Sequence, residues 1–281
     1  MTKNNTTASS LKKYASLATQ SFTLPDICLR IREILDDHRS DSEDIARLIA
    51  VDPSLSGKIL KLANSALFRF PSQIDSISKA VSVIGGEALY NLVVAETATT
   101  AFKAYDTPLI NLEEHWQSSV YTGVIAKYLA KQMGVRGSDR FFVNGILLNL
   151  SELVVAKFNP KLYRNYTLLS EGTPWARQQA IFGFDFAHLS GLIMEKWQLP
   201  LPLYYPVQHV NNTEKQYHEK DIALLACALR VTICQARPEA SKDIDLFSPA
   251  TNIMSAISPD SLENITAYAN NEAKKISSLI Y

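Results

Sequence analysis

The run FFVNGILLNLSELVVAKF, residues 141–158, constrains the fold more than any other part of the sequence. It is almost wholly apolar, no proline interrupts it, and Lys157 stands near its end, so we predict a helix buried on most of its faces. The run also carries Asn144 and Asn149, and a buried amide without hydrogen-bond partners costs about 1–3 kcal/mol. Asn149 therefore belongs to a working site, to the remnant of one, or to the core as an amide whose hydrogen bonds are satisfied.

Apolar residues recur at helical spacing along most of the chain, and no segment alternates with the period of two typical of a strand. In the first half, Asp52 before Pro53 is a helix N-cap, and Gly85-Gly86 separates two helices. In the second half we predict helices at about 112–132, 140–156, 159–171, 174–182, 185–197, 201–211 and 219–236, with a last one near 258–278. The predicted fold class is all-α and multi-helical.

The chain divides into three predicted parts. Residues 1–20 are rich in Thr, Ser and Asn and are expected to be a flexible lead-in. The alternative is a short amphipathic helix through Leu11, Tyr14, Leu17 and Ala18. A polar, proline-containing connection around 103–114 places the boundary between two helical subdomains, at 21–107 and 108–281.

Composition excludes several classes of protein. Lys plus Arg and Asp plus Glu both number 28, so no excess of positive charge is available to bind nucleic acid or an anionic membrane. We find neither a signal peptide nor an uninterrupted apolar run of about 18 residues. The three cysteines, Cys28, Cys227 and Cys234, have no C-x-x-C spacing. These features predict a cytoplasmic protein that does not enter a membrane.

Motifs in both halves point to one family. The first half contains LPDI at 24–27, DPSLSGKILKLANSALF at 52–68 and ISKAVSVIGGEAL at 77–89. The second half contains HWQSSVYTGVIAKYLA at 115–130, FVNGILLNLSELV at 142–154, IFGFDFAHLSGLIMEKWQLP at 181–200 and YPVQHV at 205–210. With this combination the chain resembles the HDOD family, bacterial signalling proteins whose output domain is related to the HD phosphohydrolases. The resemblance covers about 20–235 and implies a single module with an HD-like helical bundle in 108–281.

The resemblance also implies that the HD metal site is degenerate. Where the phosphohydrolases read Gly-Leu-Leu-His-Asp-Ile-Gly, this chain has Leu148 and Asn149 in place of the His and the Asp. A divalent metal takes imidazole nitrogen and carboxylate oxygen, whereas Leu148 has no lone pair and Asn149 offers only a neutral oxygen. The remaining ligand positions correspond to Ser118, Phe186, His209 and Cys227. Only His209 keeps a ligand side chain, so we expect no metal, no cofactor and no catalytic residue.

Two other histidines are candidates for replacing the lost ligands. His188 lies two residues beyond Phe186, about 200° around a helix. His115 follows Glu113 and Glu114, but acidic residues are expected at a helix start because they interact favourably with the helix dipole. We expect neither histidine to restore a metal site.

The six corresponding residues, here called the vestigial HD pocket, have two possible roles: Ser118, Leu148, Asn149, Phe186, His209 and Cys227. In the structural role, Leu148 and Phe186 fill the former metal cavity, because an empty cavity would cost stability. Asn149 then hydrogen-bonds to a backbone carbonyl or to Ser118. In the second role, Asn149, Ser118 and His209 are polar contacts for a small, nucleotide-like ligand.

The scaffold motif of the first half consists of Asp52, Pro53, Asn64, Ser65 and Gly85. We expect Asn64 and Ser65 to end a helix and to fix the turn that follows. The same pair is a candidate for organising a surface that binds a partner protein. The basic residues of this region are too few to indicate nucleic acid.

The favoured function is a non-catalytic module in bacterial signal transduction that meets another signalling protein in trans. The rival is a metal-dependent phosphohydrolase with unorthodox ligands. A sensor of a nucleotide-like small molecule is a third reading, and weak nucleic-acid binding is a fourth. A homodimer is compatible with each of them, and the sequence assigns no role to residues 237–281.

Overall fold

The computed structural model describes residues 2–68, 73–237 and 259–280. The helices of the first half are α1 (Thr2–Ser21), α2 (Asp26–Asp36), α3 (Ser42–Ala50), α4 (Pro53–Ala63), α5 (Ile77–Ile84) and α6 (Gly86–Ala104). Those of the second half are α7 (Leu112–Gln132), α8 (Arg140–Leu147), α9 (Leu150–Phe158), α10 (Pro160–Thr167), α11 (Pro174–Phe182), α12 (Phe186–Lys196), α13 (Leu201–Gln208), α14 (Thr213–His218), α15 (Lys220–Ala236) and α16 (Pro259–Ile280). These ranges contain no strand, which confirms the predicted all-α class.

The predicted helix starts in the first half are confirmed. Asp52 caps α4 by accepting a hydrogen bond from the Leu55 N–H at 3.0 Å, and Pro53 occupies the first helical position. Its missing N–H costs nothing there, because the first turn has no intrahelical acceptors for its N–H groups. Gly85 has φ +85° between α5 and α6, a conformation that glycine adopts without a steric penalty.

Helices α7 and α8 cross with their backbones in close contact at Gly123 and Gly145. A Cβ placed on Gly145 would lie 2.4 Å from the Cα of Gly123, closer than real side chains come. Both residues therefore need to be glycine for the two backbones to meet. This contact fixes the position of the Leu148–Asn149 segment, which follows α8 directly.

The expected flexible lead-in at 1–20 is instead helix α1, which corresponds to the alternative prediction of an amphipathic helix. Tyr14, Ala15 and Ala18 are buried, and α1 packs on α9 and α12 of the second half. Asn159 donates to the Tyr14 hydroxyl at 3.0 Å, and the Tyr105 hydroxyl donates to the Ala18 carbonyl at 2.7 Å. Burial of this apolar face stabilises a segment whose composition alone indicated disorder.

The final helix, α16, packs on α7 and α4. The Tyr268 hydroxyl donates to the Ala66 carbonyl at 3.0 Å, which ties α16 to the end of the α4 segment. The predicted last helix near 258–278 is thus confirmed. The polar stretch expected before it lies mostly in 238–258, outside the described residues.

The boundary predicted at 107/108 falls in the connection between α6 and α7, and it stays a prediction. Buried apolar side chains from both sides belong to one continuous core. The stretch Arg140–Phe158 is long and apolar enough to cross a membrane, but it is mostly buried inside the protein, as a core helix would be. The short α14 was not predicted.

Candidate functional site

The predicted single helix over 140–156 is in fact two helices that meet at Leu148 and Asn149. Leu148 keeps helical dihedrals, whereas Asn149 has φ −105° and ψ 15° and stands as the N-cap residue of α9. Leu148 is fully buried and Asn149 is half-buried. The two residues that the resemblance aligns with the His and the Asp therefore sit at a break between helices.

The structure divides the vestigial HD pocket by burial. Leu148, Phe186 and Cys227 are fully buried. Asn149 and His209 are half-buried, and Ser118 is exposed on α7. Burial of the three residues with apolar or thiol side chains agrees with the structural role predicted for them.

Phe186 packs into an aromatic cluster. Its ring centroid lies 5.3 Å from the rings of both Tyr166 and Phe182, a separation typical of favourable aromatic pairs. Its carbonyl accepts from the Ser151 hydroxyl at 2.5 Å, and its N–H donates to the Gln178 side chain at 2.9 Å. The position that would carry a histidine ligand is thus filled by a ring and held by its own backbone.

Cys227 lies on α15 and is the only soft donor among the six residues. Burial raises the pKa of its thiol to about 12, so at neutral pH the group is the thiol form. Metals bind the thiolate, and a thiol in apolar surroundings is inert. Cys227 therefore acts as a small apolar residue in this structure.

The predicted hydrogen bond from the Asn149 side chain to a backbone carbonyl or to Ser118 is wrong in both of its alternatives. Ser118 is exposed, and its carbonyl accepts from the Thr122 hydroxyl within α7. Among the described residues the Asn149 side chain has no hydrogen-bond partner, while its backbone carbonyl accepts from the Glu152 N–H at 3.1 Å. Half-exposure explains this arrangement, because water can satisfy an amide that is not fully buried.

A group of polar side chains next to Asn149 was not predicted as a unit. His115 Nδ1 lies 3.8 Å from Glu152 Oε2, and the Tyr163 hydroxyl donates to Glu152 Oε1 at 2.9 Å. The Phe102 ring covers the imidazole at 5.5 Å between centroids. We call His115, Glu152 and Tyr163 the His115 cluster. Its sequence signal was weak, since only His115 had been singled out and its partners come from α9 and α10.

The electrostatics of the His115 cluster follow from burial. Burial lowers the pKa of His115 from its ordinary 6.5, and the nearby Glu152 carboxylate and Asn149 backbone oppose this only in part. His115 Nε2 is buried and has no hydrogen-bond partner in the described part of the chain. The same burial raises the pKa of the Tyr163 phenol, assisted by Glu152. His115 is therefore a neutral imidazole at pH 7.

His209 lies in a different environment at the end of α13. Its ring is 4.6 Å from the Tyr205 ring and 6.3 Å from the His188 ring. Burial lowers the pKa of His209, and the positive charge of Lys215 and the His188 ring lower it further. His188 Nδ1 contacts the Gln208 carbonyl at 3.2 Å. The described hydrogen bonds do not join His209 to Asn149 or to Ser118.

These donors do not fit a metal ion. Across residues 2–68, 73–237 and 259–280 no three His, Cys, Asp or Glu side chains come together as a metal site would require. The His115 cluster supplies two metal-binding side chains, and catalytic metal sites usually offer three protein ligands.

The chain belongs to the HDOD family, whose domain pattern matches residues 22–213. An uncharacterised protein from Treponema pallidum (strain Nichols) is 27% identical over 194 residues. That match covers 67% of this chain and only 37% of the relative's length. The resemblance predicted from the motifs is thereby confirmed, and its extension to about residue 235 stays a prediction.

Solved structures share the fold. A protein from Shewanella amazonensis SB2B, provisionally named a phosphohydrolase, matches with TM-score 0.73 and 19% identity, covering 97% of this chain and 98% of its own. An HDOD domain protein of unknown function from Geobacter sulfurreducens matches with TM-score 0.63 and 20% identity, over 96% and 97%. A protein from Marinobacter aquaeolei VT8, provisionally named a signal transduction protein, matches with TM-score 0.68 and 15% identity, over 99% and 65%. At these identities the likeness concerns the fold.

Proposed function

We propose that this protein is a non-catalytic regulatory module of bacterial signal transduction, located in the cytoplasm and acting through binding. The observation that carries the proposal is that Leu148, Phe186 and Cys227 are fully buried and present no charged donor. The family resemblance aligns these three residues with the ligand positions of the phosphohydrolases. Membership of the HDOD family supports the regulatory role. The Marinobacter protein's provisional name supports it as well.

The side chains at the aligned ligand positions are poor metal donors. Hydrolysis of the HD type needs a bound metal to make a nucleophile from water. Asn149 is neutral, Leu148 has no lone pair, and burial keeps the Cys227 thiol protonated at neutral pH. Each of these three residues alone would weaken metal binding, and together they offer the metal no negatively charged ligand.

A second candidate function rests on the His115 cluster. The 3.8 Å contact between His115 and Glu152 lies beside Asn149, close to the position of the lost His-Asp pair. One further ligand supplied by the substrate or by water would give a metal-dependent phosphohydrolase with unorthodox ligands. The Shewanella protein's provisional name as a phosphohydrolase favours this reading.

Elemental analysis of the tag-free protein after incubation with Mn, Fe, Mg or Zn separates the two functions. We expect well below one metal per chain and no hydrolysis of bis(p-nitrophenyl) phosphate. The double variant Leu148→His with Asn149→Asp is expected to stay metal-free, because Phe186 and Cys227 still fill their positions. One metal per chain that is lost in His115→Gln, together with turnover, would overturn the proposal and establish the phosphohydrolase.

A further inference from the structure

The final helix, α16, lies in a groove between α4 and α7. Ile265, Ala269, Ala273 and Ile276 are buried along one face of α16, at the spacing of an amphipathic helix. Both helices that form the groove lie inside the family pattern of residues 22–213, whereas α16 lies outside it. This surface therefore accepts an amphipathic helix, and its occupant in the structure is the chain's own C-terminal one.

A carboxylate interrupts the buried face of α16. Glu272 is 3% exposed and lies on the same stripe as Ala269 and Ile276. Its Oε1 accepts from the Lys275 ammonium at 2.9 Å, but its Oε2 is buried and has no hydrogen-bond partner in the described part of the chain. The Ser277 hydroxyl is buried without one as well. Because a buried charge with an unsatisfied oxygen opposes association, α16 fits its groove imperfectly.

A pocket of about 120 Å³ remains where α16 meets α7. It is lined by Leu67 from the turn after α4, by Lys127 and Lys131 of α7, and by Tyr268 of α16. Dispersion contacts are made only where atoms touch, so the unfilled space leaves the side chains around it with fewer contacts. A bulkier side chain from another helix would make those contacts.

The two lysines of this pocket favour a negatively charged occupant. Lys127 is 5% exposed, pairs with Asp139 at 2.7 Å, and places its ammonium 3.3 Å from the centre of the Phe68 ring. Burial lowers the pKa of Lys127 to about 8, although Asp139 opposes the shift, and the charge of Lys131 lowers it further. Lys131 is exposed and belongs to none of the ion pairs among the described residues. The residue that α16 brings to the pocket is Tyr268, which is uncharged. An acidic residue from a competing helix would be attracted by both ammonium groups.

The turn after α4 lies at the edge of the groove. The Tyr268 hydroxyl donates to the Ala66 carbonyl at 3.0 Å, and the Tyr268 ring lies 6.2 Å from the Tyr128 ring of α7. Ala66 directly follows Asn64 and Ser65, the pair that is a candidate for organising a partner-binding surface. Helix α16 therefore covers part of the surface on which the sequence placed a partner.

We propose that the groove between α4 and α7 is a docking site for an amphipathic helix of a partner protein, and that α16 occupies the site until the partner displaces it. The partner helix carries small and apolar residues along its buried face and an acidic residue that faces Lys127 and Lys131. It lacks the buried carboxylate that Glu272 places in the groove. The inference rests on the proposed binding function and deepens it by specifying the surface and the chemistry of the partner.

Hydrogen–deuterium exchange of the full-length protein, followed by mass spectrometry, tests whether α16 leaves the groove. We expect protection factors in α16 roughly tenfold or more below those in α7, because α16 opens while the rest of the fold stays closed. Glu272→Leu removes the buried carboxylate, so it should slow exchange in α16 and leave α7 unchanged. Glu263→Leu, at an exposed position of the same helix, is the matched control and should not slow it. Equal protection of α16 and α7 in the wild-type protein overturns the inference.

A fluorescent peptide of residues 259–280 with Tyr268→Glu and Glu272→Leu is the probe for the partner helix. We expect it to bind the full-length protein roughly tenfold or more tightly than a scrambled peptide of the same composition. Ile276→Asp in the protein weakens the hold on its own α16, so it should raise the affinity for the probe roughly tenfold. Lys131→Glu should lower the affinity roughly fivefold, whereas Lys161→Glu, an exposed change on α10, should leave it unchanged.

The docking site is overturned if the probe binds no better than the scrambled peptide, or if Ile276→Asp unfolds the whole protein. A wild-type dimer, detected by light scattering and abolished by Ile276→Asp, would assign the groove to α16 of a second copy and remove the partner helix. Metal content and hydrolysis, measured on the same preparation, report separately on the proposed function. A metal-free, inactive protein whose α16 is fully protected loses only the docking site.

Discussion

The side-chain amide of Asn64 clamps the backbone of Ile74 on the far side of a loop. Its Nδ2 donates to the Ile74 carbonyl at 2.7 Å, and its Oδ1 accepts from the Ile74 N–H at 2.8 Å. The same Nδ2 donates to the Leu60 carbonyl at 2.8 Å. One side chain therefore ties the end of α4 to the segment before α5, as predicted for Asn64. The Ser65 hydroxyl, predicted to act with it, is buried without a hydrogen-bond partner among the described residues.

We expect Asn64→Ala to lower the free energy of unfolding by about 1–3 kcal/mol, because the backbone groups of the buried Ile74 lose their partners. Urea denaturation followed by circular dichroism measures the loss. Lys61→Ala, an exposed change on the same helix, should stay within about 0.5 kcal/mol of wild type. Equal stability of the two variants would show that the clamp does not stabilise the fold.

Stability should fall in mild acid because of His115. Burial lowers its pKa below the ordinary 6.5, so below pH 6.5 the unfolded chain binds a proton that the folded protein excludes. Since stability decreases with falling pH wherever the unfolded state binds more protons, His115 destabilises the protein progressively below pH 6.5 and has no such effect above it. His115→Gln should flatten this decline. Urea midpoints at pH 8.0, 6.5 and 5.5 test it, and His38→Gln, at an exposed histidine, should leave the slope unchanged.

Two glycine substitutions should change the stability of the protein in opposite directions. Gly145→Ala places a methyl group 2.4 Å from the Gly123 backbone, so we expect a loss of about 1–3 kcal/mol or more from overpacking. Gly57→Ala in α4 meets no atom within 4 Å and should stabilise by about 0.5–1 kcal/mol through helix propensity. Thermal unfolding of both variants measures these two changes in stability. A neutral Gly145→Ala would mean that the two helices can move apart.

Removal of the buried Phe186 ring should lower the free energy of unfolding strongly. We expect Phe186→Ala to cost about 3–5 kcal/mol, since it removes a fully buried ring from contact with Tyr166 and Phe182. Tyr217→Ala, at a residue that is 61% exposed, is the control and should change stability little. A small loss at Phe186 would indicate that the aromatic cluster around it is loosely packed.

The helix ends that depend on neighbouring residues could be predicted from the sequence. Asp52 with Pro53, and Gly85 with its positive φ, depend on residues within one helical turn, so the pattern alone identified them. The break at Asn149 was missed because apolar periodicity continues through it without a proline or glycine. Residues 1–20 were misjudged because their composition is polar, while the helix is held by Tyr14 and Ala18 against distant parts of the chain.

The site was harder to predict than the fold. Burial of Leu148 and Phe186 followed from matching motif positions to side-chain chemistry. Glu152 and Tyr163 approach His115 from two other helices, and no spacing rule links residues 37 to 48 positions apart on different helices. Gln198, which follows α12 with φ +58°, was not predicted to be left-handed, because glutamine in the sequence gives no sign of that conformation.

The family pattern ends at residue 213, but α1, α15 and α16 lie outside it and pack against the helices within it. A fragment cut at the edges of the pattern would lack Cys227, and it would lack Asp221 with its ion pair to Arg140. It would also uncover the apolar faces of α7 and α12 and invite aggregation. Fragment ends for such proteins should therefore be chosen from helix packing, because the family pattern covers only part of the unit that folds.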